Sequence, residues 1–374
     1  MNIGIITFHR AENYGSALQA YALNTFLRTK YSNDIVETID YQNIEQYRIY
    51  RLFHPIYSIM DVVRFVHTLL YVRSLRLRKS RYHKFINESL SLSTYHGNDI
   101  DELRKYSQKY SVVICGSDQI WNVRCQDYDA CYMLSFVNGA LKVAYAPSLG
   151  LSAFLKKEEN VFKHFLGSFD ALSVRETEGA LYLSRILHKK VEVVADPVFL
   201  LSAEHWRQLE VMPQIKGRYI LCYFIGEVSG MRAFAKRVQR ETGIKQVIVI
   251  IKNLRDIFSG YIPKFDTGPK EFIGLIDGAE YIITDSFHAV AFSLLLHKKF
   301  WVFVETGAKA SLKPNSRIIN ILDKTDLMHR MLNNQKSQEC LISEPIDFQH
   351  VDSVIAQYAS HSQNFINDSL KQVK

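Results

Sequence analysis

The feature that most constrains this chain is an alternation that runs through it twice: short apolar, β-branched runs separated by stretches of helical periodicity. Ile3 to Phe8, Asp34 to Asp40, Ser111 to Cys115, Val143 to Ala146, Ala171 to Val174 and Val191 to Val194 read as strands, and Ser16 to Lys30 reads as a helix between the first two. Strands joined through helices pair in parallel by right-handed crossovers, so the pattern implies a doubly wound sheet covered on both faces. After Asp196-Pro197 and a helical segment from Ala203 to Leu209 the series begins again, with Tyr219 to Phe224, Gln246 to Ile250, Tyr281 to Thr284 and Phe300 to Val304. The expectation is an α/β chain of two doubly wound, Rossmann-like domains, 1–198 and 199–374. A length of 374 residues agrees, because single cores stop growing at roughly 250–300 residues. A last helical stretch, Val351 to Leu370, either closes the second domain or returns to the first.

Composition excludes several classes. Hydrophobic residues at 47% and charged residues at 22% are ordinary for packed cores, which argues against disorder or a fibrous repeat. Cys115, Cys125, Cys131, Cys222 and Cys340 form no CxxC pair, so reduced thiols in a cytoplasm are expected rather than a zinc site or a disulfide framework. The N-terminal run Met1 to Ile6 reads as a first strand and not as a secretory signal.

The formal charge of +8 is concentrated, with Arg73, Arg76, Arg78, Lys79, Arg81 and Lys84 following the apolar and aromatic stretch Leu52 to Val72. Asp61, Arg64 and His67 interrupt that stretch, which makes it a poor transmembrane span but a tolerable interfacial helix. Segment 52–85, assigned to the first domain, therefore carries two readings: docking to an anionic membrane surface through Arg73 to Lys84, or a helix packed on the sheet with a solvated basic face. Nothing resembles an RNA-binding aromatic motif or a zinc-finger spacing, so no nucleic-acid partner is expected.

In open parallel sheets ligands bind beyond the carboxyl ends of the strands, which directs attention to four loops. In the first, Asn13-Tyr14-Gly15-Ser16, Gly15 allows close backbone approach and Ser16 can cap the following helix, although a plain strand-to-helix turn would look the same. The second, Gly116 to Asn122, gathers Ser117, Asp118, Gln119 and Asn122 around Trp121. That mixture suits a sugar, and equally suits a helix cap over a buried tryptophan. In the third, Arg175 ends a strand, where it can fork onto a carboxylate or phosphate or pair with Glu176 or a helix end. In the fourth, Asp285 or Ser286 is placed to cap a helix whose first turn carries His288. Taken alone, His288 reads as a core histidine bonded to a carbonyl.

These loops do not stand alone. Asn13-Tyr14-Gly15-Ser16, Gly116 to Asn122, Tyr145-Ala146-Pro147-Ser148, Ser173-Val174-Arg175-Glu176, Asp196-Pro197, Asp285-Ser286-Phe287-His288 and Asn315-Ser316-Arg317, in this order, resemble the polysaccharide pyruvyl transferase family across nearly the whole chain. The resemblance implies two Rossmann-like domains facing each other across a crevice, as in GT-B glycosyltransferases. It also implies transfer of the enolpyruvate-derived group of phosphoenolpyruvate onto a sugar, giving a cyclic pyruvate ketal and phosphate.

Such a reaction needs a general acid, cations for carboxylate and phosphate, and a polar acceptor pocket. The family pattern places catalysis on His288 and Arg175. The donor then falls to Arg175, Ser286, Phe287, Arg317 and Lys313, and the acceptor to Asn13, Tyr14, Gly15, Asp118, Trp121 and Asn122. Some relatives carry an arginine two residues before the histidine where this chain has Ser286, so one donor cation must come from elsewhere, with Arg317, Lys309 and Lys313 as candidates. No cofactor beyond phosphoenolpyruvate as co-substrate is expected, and no metal, because no cluster has ligand spacing. The acceptor implied is a sugar of a surface polysaccharide or its lipid-linked precursor, at the cytoplasmic face of the plasma membrane. The competing readings are a nucleotide-sugar glycosyltransferase of the same architecture and a non-catalytic glycan-binding member.

Overall fold

The computed structural model describes the chain except for residues 151–153, 227, 252–255, 257–259, 305–315 and 372–374, so Lys309, Lys313 and Asn315 lie outside the described residues. The chain divides into two compact units. Met1–His54, Tyr82–Leu201 and Gln357–Lys374 form the first, and Pro55–Arg81 with Ser202–Ala356 the second.

The first unit is built on seven parallel strands: β1 (Asn2–Ile6), β2 (Ile35–Tyr41), β3 (Leu92–Gly97), β4 (Val112–Asp118), β5 (Leu141–Pro147), β6 (Ala171–Val174) and β7 (Glu192–Val193). Their order in the sheet is β3-β2-β1-β4-β5-β6-β7. Successive side chains enter opposite cores. Ile3, Ile5, Val112 and Ile114 pack on one face with Leu23 and Ile366, while Ile6, Val113 and Cys115 pack on the other with Trp121 and Phe162. Burial on both faces explains why these strands read as continuous apolar runs. The edge strand β3 escaped the sequence reading because Leu92-Ser93-Thr94-Tyr95-His96 alternates buried and exposed positions and has no apolar run.

The second unit repeats the winding with β8 (Tyr219–Tyr223), β9 (Gln246–Ile250), β10 (Ile262–Lys264), β11 (Tyr281–Thr284), β12 (Lys299–Phe303) and β13 (Met331–Leu332), ordered β10-β9-β8-β11-β12-β13 and all parallel. Its core gathers Cys222, Phe234, Val249, Ile283, Trp301 and Phe303.

Two segments are placed by packing rather than by order in the chain. The helix Phe348–Leu370 passes into the first unit at Gln357. There the Tyr358 hydroxyl donates to the Val194 carbonyl at 2.8 Å, the Ser362 hydroxyl accepts from the Ala195 amide at 2.8 Å, and Ile366 and Leu370 are buried. Residues 55–81, expected with the first domain, belong to the second. Tyr71 stacks on Phe265 with ring centroids 4.0 Å apart, and Arg81 pairs with Asp266 at 2.9 Å and Glu271 at 3.1 Å. The expectation followed neighbourhood in sequence, and these partners lie nearly two hundred residues away. Among the described residues no helix is long and apolar enough to cross a membrane.

Candidate functional site

Both sheets reverse their winding beside their first strand, between β1 and β4 and between β8 and β11, and the loops beyond those carboxyl ends form the natural ligand sites of such sheets. In the first unit the strand ends carry a joined polar network. Asp118 closes β4 and sits at φ 64°, where an L-residue is uncommon; Ala146 on β5 sits at φ 56°. Left-handed backbone costs about 1–2 kcal/mol per residue without glycine, and two such residues at adjoining strand ends mark a place where geometry is imposed by its surroundings.

The Asp118 carboxylate accepts from the Ser16 hydroxyl and from the Gln119 amide, and its carbonyl accepts from the Ser148 amide at 2.7 Å. Ser148 in turn donates to Glu176. Ser117 donates to the Ala146 carbonyl at 3.0 Å and to Asp196 at 3.3 Å.

Arg175 sits inside this network, 3% exposed. Its guanidinium donates to Asp196 and lies 3.6 Å from Asp118. Burial alone would lower its pKa, but the charges of Asp196, Asp118 and Glu176 outweigh burial and raise it. The expected clamp on a donor anion is thus engaged with carboxylates of its own unit. Its ion pairs are with Asp196, which follows β7, the neighbour of β6, and with Asp118, while the adjacent Glu176 adds its negative charge.

The structure places the acceptor candidates Trp121, Tyr14, Asn13, Gly15 and Asn122 in the packing and hydrogen bonding of their own unit. Trp121 is fully buried, its indole donating to the Tyr132 carbonyl at 3.1 Å and its ring edge-on to Phe169, so no face is left for a sugar. Tyr14 is likewise in the core, its ring 5.4 Å from that of Tyr82. The helix Tyr14–Lys30 is capped by Asn13, whose side chain accepts from the Gly15 amide at 2.9 Å. Gly15 is therefore inside the helix rather than in a turn, and Ser16 is used on Asp118 instead of capping. Asn122 donates to Gln119 at 2.9 Å and accepts from the Arg124 amide at 3.1 Å, holding its own turn. Asp118 stands at the end of β4 with its side chain 13% exposed.

The sequence reading missed a second cluster at the ends of β1 to β3. His9 is buried, with Nε2 2.9 Å from Asp40 and Nδ1 3.1 Å from the Thr7 carbonyl. Arg10 forks onto the same carboxylate at 2.7 and 2.6 Å, and His96 reaches it at 2.8 Å. Burial works to raise the Asp40 pKa, but hydrogen bonds and charge from His9 and Arg10 outweigh it and hold the carboxyl far below the usual carboxylate range. The signal was present: His9-Arg10 directly follows one strand and Asp40 ends the next.

In the second unit, Asp285 does not cap the helix. Its two carboxylate oxygens accept from the amides of Ile225 (2.7 Å) and Gly226 (2.6 Å), tying the loop after β8 to the end of β11. Ser286 is the N-cap of Phe287–Leu295, accepting from the Ala289 amide at 3.4 Å. His288 follows in the first turn, 7% exposed, its ring 5.1 Å from that of Phe287. Arg317, at the start of the helix Ser316–Lys324, places its guanidinium 5.8 Å over the Phe287 ring. A helix N-terminus, a histidine and an arginine thus gather at one strand end, an arrangement suited to an anion. Among the described residues no group of three or more His, Cys, Asp or Glu side chains is arranged to hold a metal.

The fold is that of a two-unit α/β protein of the GT-B kind. The chain is similar along its length to the S. aureus MnaA-UDP co-structure (12% identity, 98% of this chain and 96% of that chain, TM-score 0.52). It is also similar to Methanocaldococcus jannaschii UDP-GlcNAc 2-epimerase in complex with UDP-GlcNAc and UDP (13%, 96% and 99%, 0.50) and to Neisseria meningitidis UDP-GlcNAc 2-epimerase bound to UDP-GlcNAc (10%, 99% and 94%, 0.50). At these identities the likeness is one of fold. The chain belongs to the polysaccharide pyruvyl transferase family, whose model matches residues 13–306. No curated protein sequence matches it.

Proposed function

We propose that this protein moves the enolpyruvate-derived group of phosphoenolpyruvate onto a sugar of a surface polysaccharide or its lipid-linked precursor, on the cytoplasmic side of the membrane, forming a pyruvate ketal. Membership of the pyruvyl transferase family across residues 13–306 carries the proposal. In this reading His288 protonates the methylene carbon of the donor, and C2 becomes an electrophile stabilised by its oxygen. A sugar hydroxyl adds to C2, phosphate leaves, and a second hydroxyl closes the ketal. One hydroxyl proton balances the new methyl group and the other leaves with phosphate.

The donor anion sits with the second unit, where the helix N-terminus capped by Ser286, together with Phe287 and Arg317, supplies what the absent arginine would have given. Arg175 holds Asp118 and Asp196 in place, and Asp118 accepts a hydrogen bond from an acceptor hydroxyl. Arg175 acts here as a positioning residue. Neither a metal nor a further cofactor enters the scheme.

Purified protein given labelled phosphoenolpyruvate and an oligosaccharide acceptor should release phosphate, with the glycan gaining one pyruvate-derived unit by mass spectrometry. Turnover of a nucleotide sugar, with phosphoenolpyruvate untouched, would replace this reading by glycosyl transfer. A His288→Ala protein that kept full biological activity would point to a glycan-binding role.

A further inference from the structure

The helix Ile59–Leu70 turns its apolar residues outward. Ile59, Val62, Val63, Val66, Leu69 and Leu70 recur at the three- and four-residue spacing of one helical face, and they are between 45% and 84% exposed. No residue of this helix is buried. It is attached through His67, whose ring lies 5.9 Å from that of Phe265, and through Tyr71, at the helix end, which stacks on the same ring. A contiguous outward stripe of this kind marks an interaction surface, since single surface apolar residues are ordinary but a ridge of six is not.

Charge decides the occupant. Between Pro55 and Lys84 there are seven lysines and arginines against one aspartate. On the next helix, Val72–Ser89, Arg73 and Arg76 are exposed beside Leu77 and opposite the buried Leu75. Arg81 is spent on Asp266 and Glu271 and is not part of this face. An apolar ridge followed by a basic one matches the boundary between acyl chains and anionic head groups. At twelve residues the apolar helix is too short to span a bilayer and long enough to lie on it.

We propose that Ile59–Leu70 docks the protein on an anionic lipid surface, its apolar stripe at the headgroup and acyl boundary and Arg73 and Arg76 on the head groups. The inference goes beyond the transfer reading and stands without it.

The test is flotation of the full chain with vesicles of phosphatidylcholine alone or mixed with phosphatidylglycerol, without substrate. The unsubstituted protein should float with the mixed vesicles, lose them at high salt, and bind phosphatidylcholine weakly. Combined Ile59→Ser, Val63→Ser, Val66→Ser and Leu70→Ser, and separately Arg73→Glu with Arg76→Glu, should each weaken flotation by about tenfold or more. All substituted positions are exposed, so unchanged circular dichroism and Tm are expected. Absence of flotation, equal flotation with both vesicles, or undiminished flotation of either variant overturns the proposal. So does light scattering that shows a dimer which the serine variant dissolves, since the stripe would then be covered by a second copy.

Discussion

The carboxyl ends of the two sheets have the same topology and opposite chemistry. In the first unit Arg175 is surrounded by Asp118, Glu176 and Asp196, so negative charge is in excess and much of it is buried. In the second, the strand ends offer a helix N-terminus with Ser286, His288 and Arg317, and the carboxylate of Asp285 is occupied by two backbone amides. The difference teaches that one winding order can present two kinds of strand-end chemistry. An acid-lined end orients hydroxyl groups and repels phosphate, and a cationic helix start attracts it.

The largest expected effect breaks the first side. Arg175→Ala leaves Asp196 and Asp118 without their guanidinium in a buried place and should cost about 3–5 kcal/mol, measured by urea denaturation. A loss of catalysis with stability intact would instead make Arg175 a donor ligand. On the second side, His288→Ala should lower kcat by about 100-fold or more, equivalent to about 2.7 kcal/mol, with Tm nearly unchanged. If stability fell and kcat held, His288 would be a core residue after all.

Asp40→Asn sharpens the contrast within the first unit. Removing a charged acceptor of His9 and Arg10 should cost about 1.5–3 kcal/mol at neutral pH. The folded-state pKa of Asp40 is depressed, so its contribution is present above the unfolded value near pH 4 and is lost as pH falls below it. Denaturation curves of the two proteins should therefore converge in acid and separate at pH 7. Smallest is Ser286→Ala, which removes a helix cap for about 1 kcal/mol. A rise in KM for phosphoenolpyruvate beyond that of an exposed-cap control would place the donor at this helix start.

Much of the fold was legible in the sequence. Two series of buried strands separated by helices admit few other arrangements, because parallel pairing demands long crossovers of one hand. The order of the motifs also pointed to strand ends, where such sheets leave side chains without strand neighbours. Segments without that periodicity were less readable. β3 is an edge strand of polar residues, and β10 and β13 are only three and two residues long.

What the sequence by itself determined is the winding of both sheets and the placing of His288 in the first turn of a helix after β11, because backbone periodicity and caps are local properties. Only the tertiary structure decided which groups those residues meet. Arg175 finds Asp196 from beyond the neighbouring strand, Trp121 turns inward to Tyr132 rather than outward to a sugar, and the Ile59–Leu70 helix keeps its apolar face in the open. Burial and ion pairing depend on what packs against a side chain, and the packing partner stands far away along the chain.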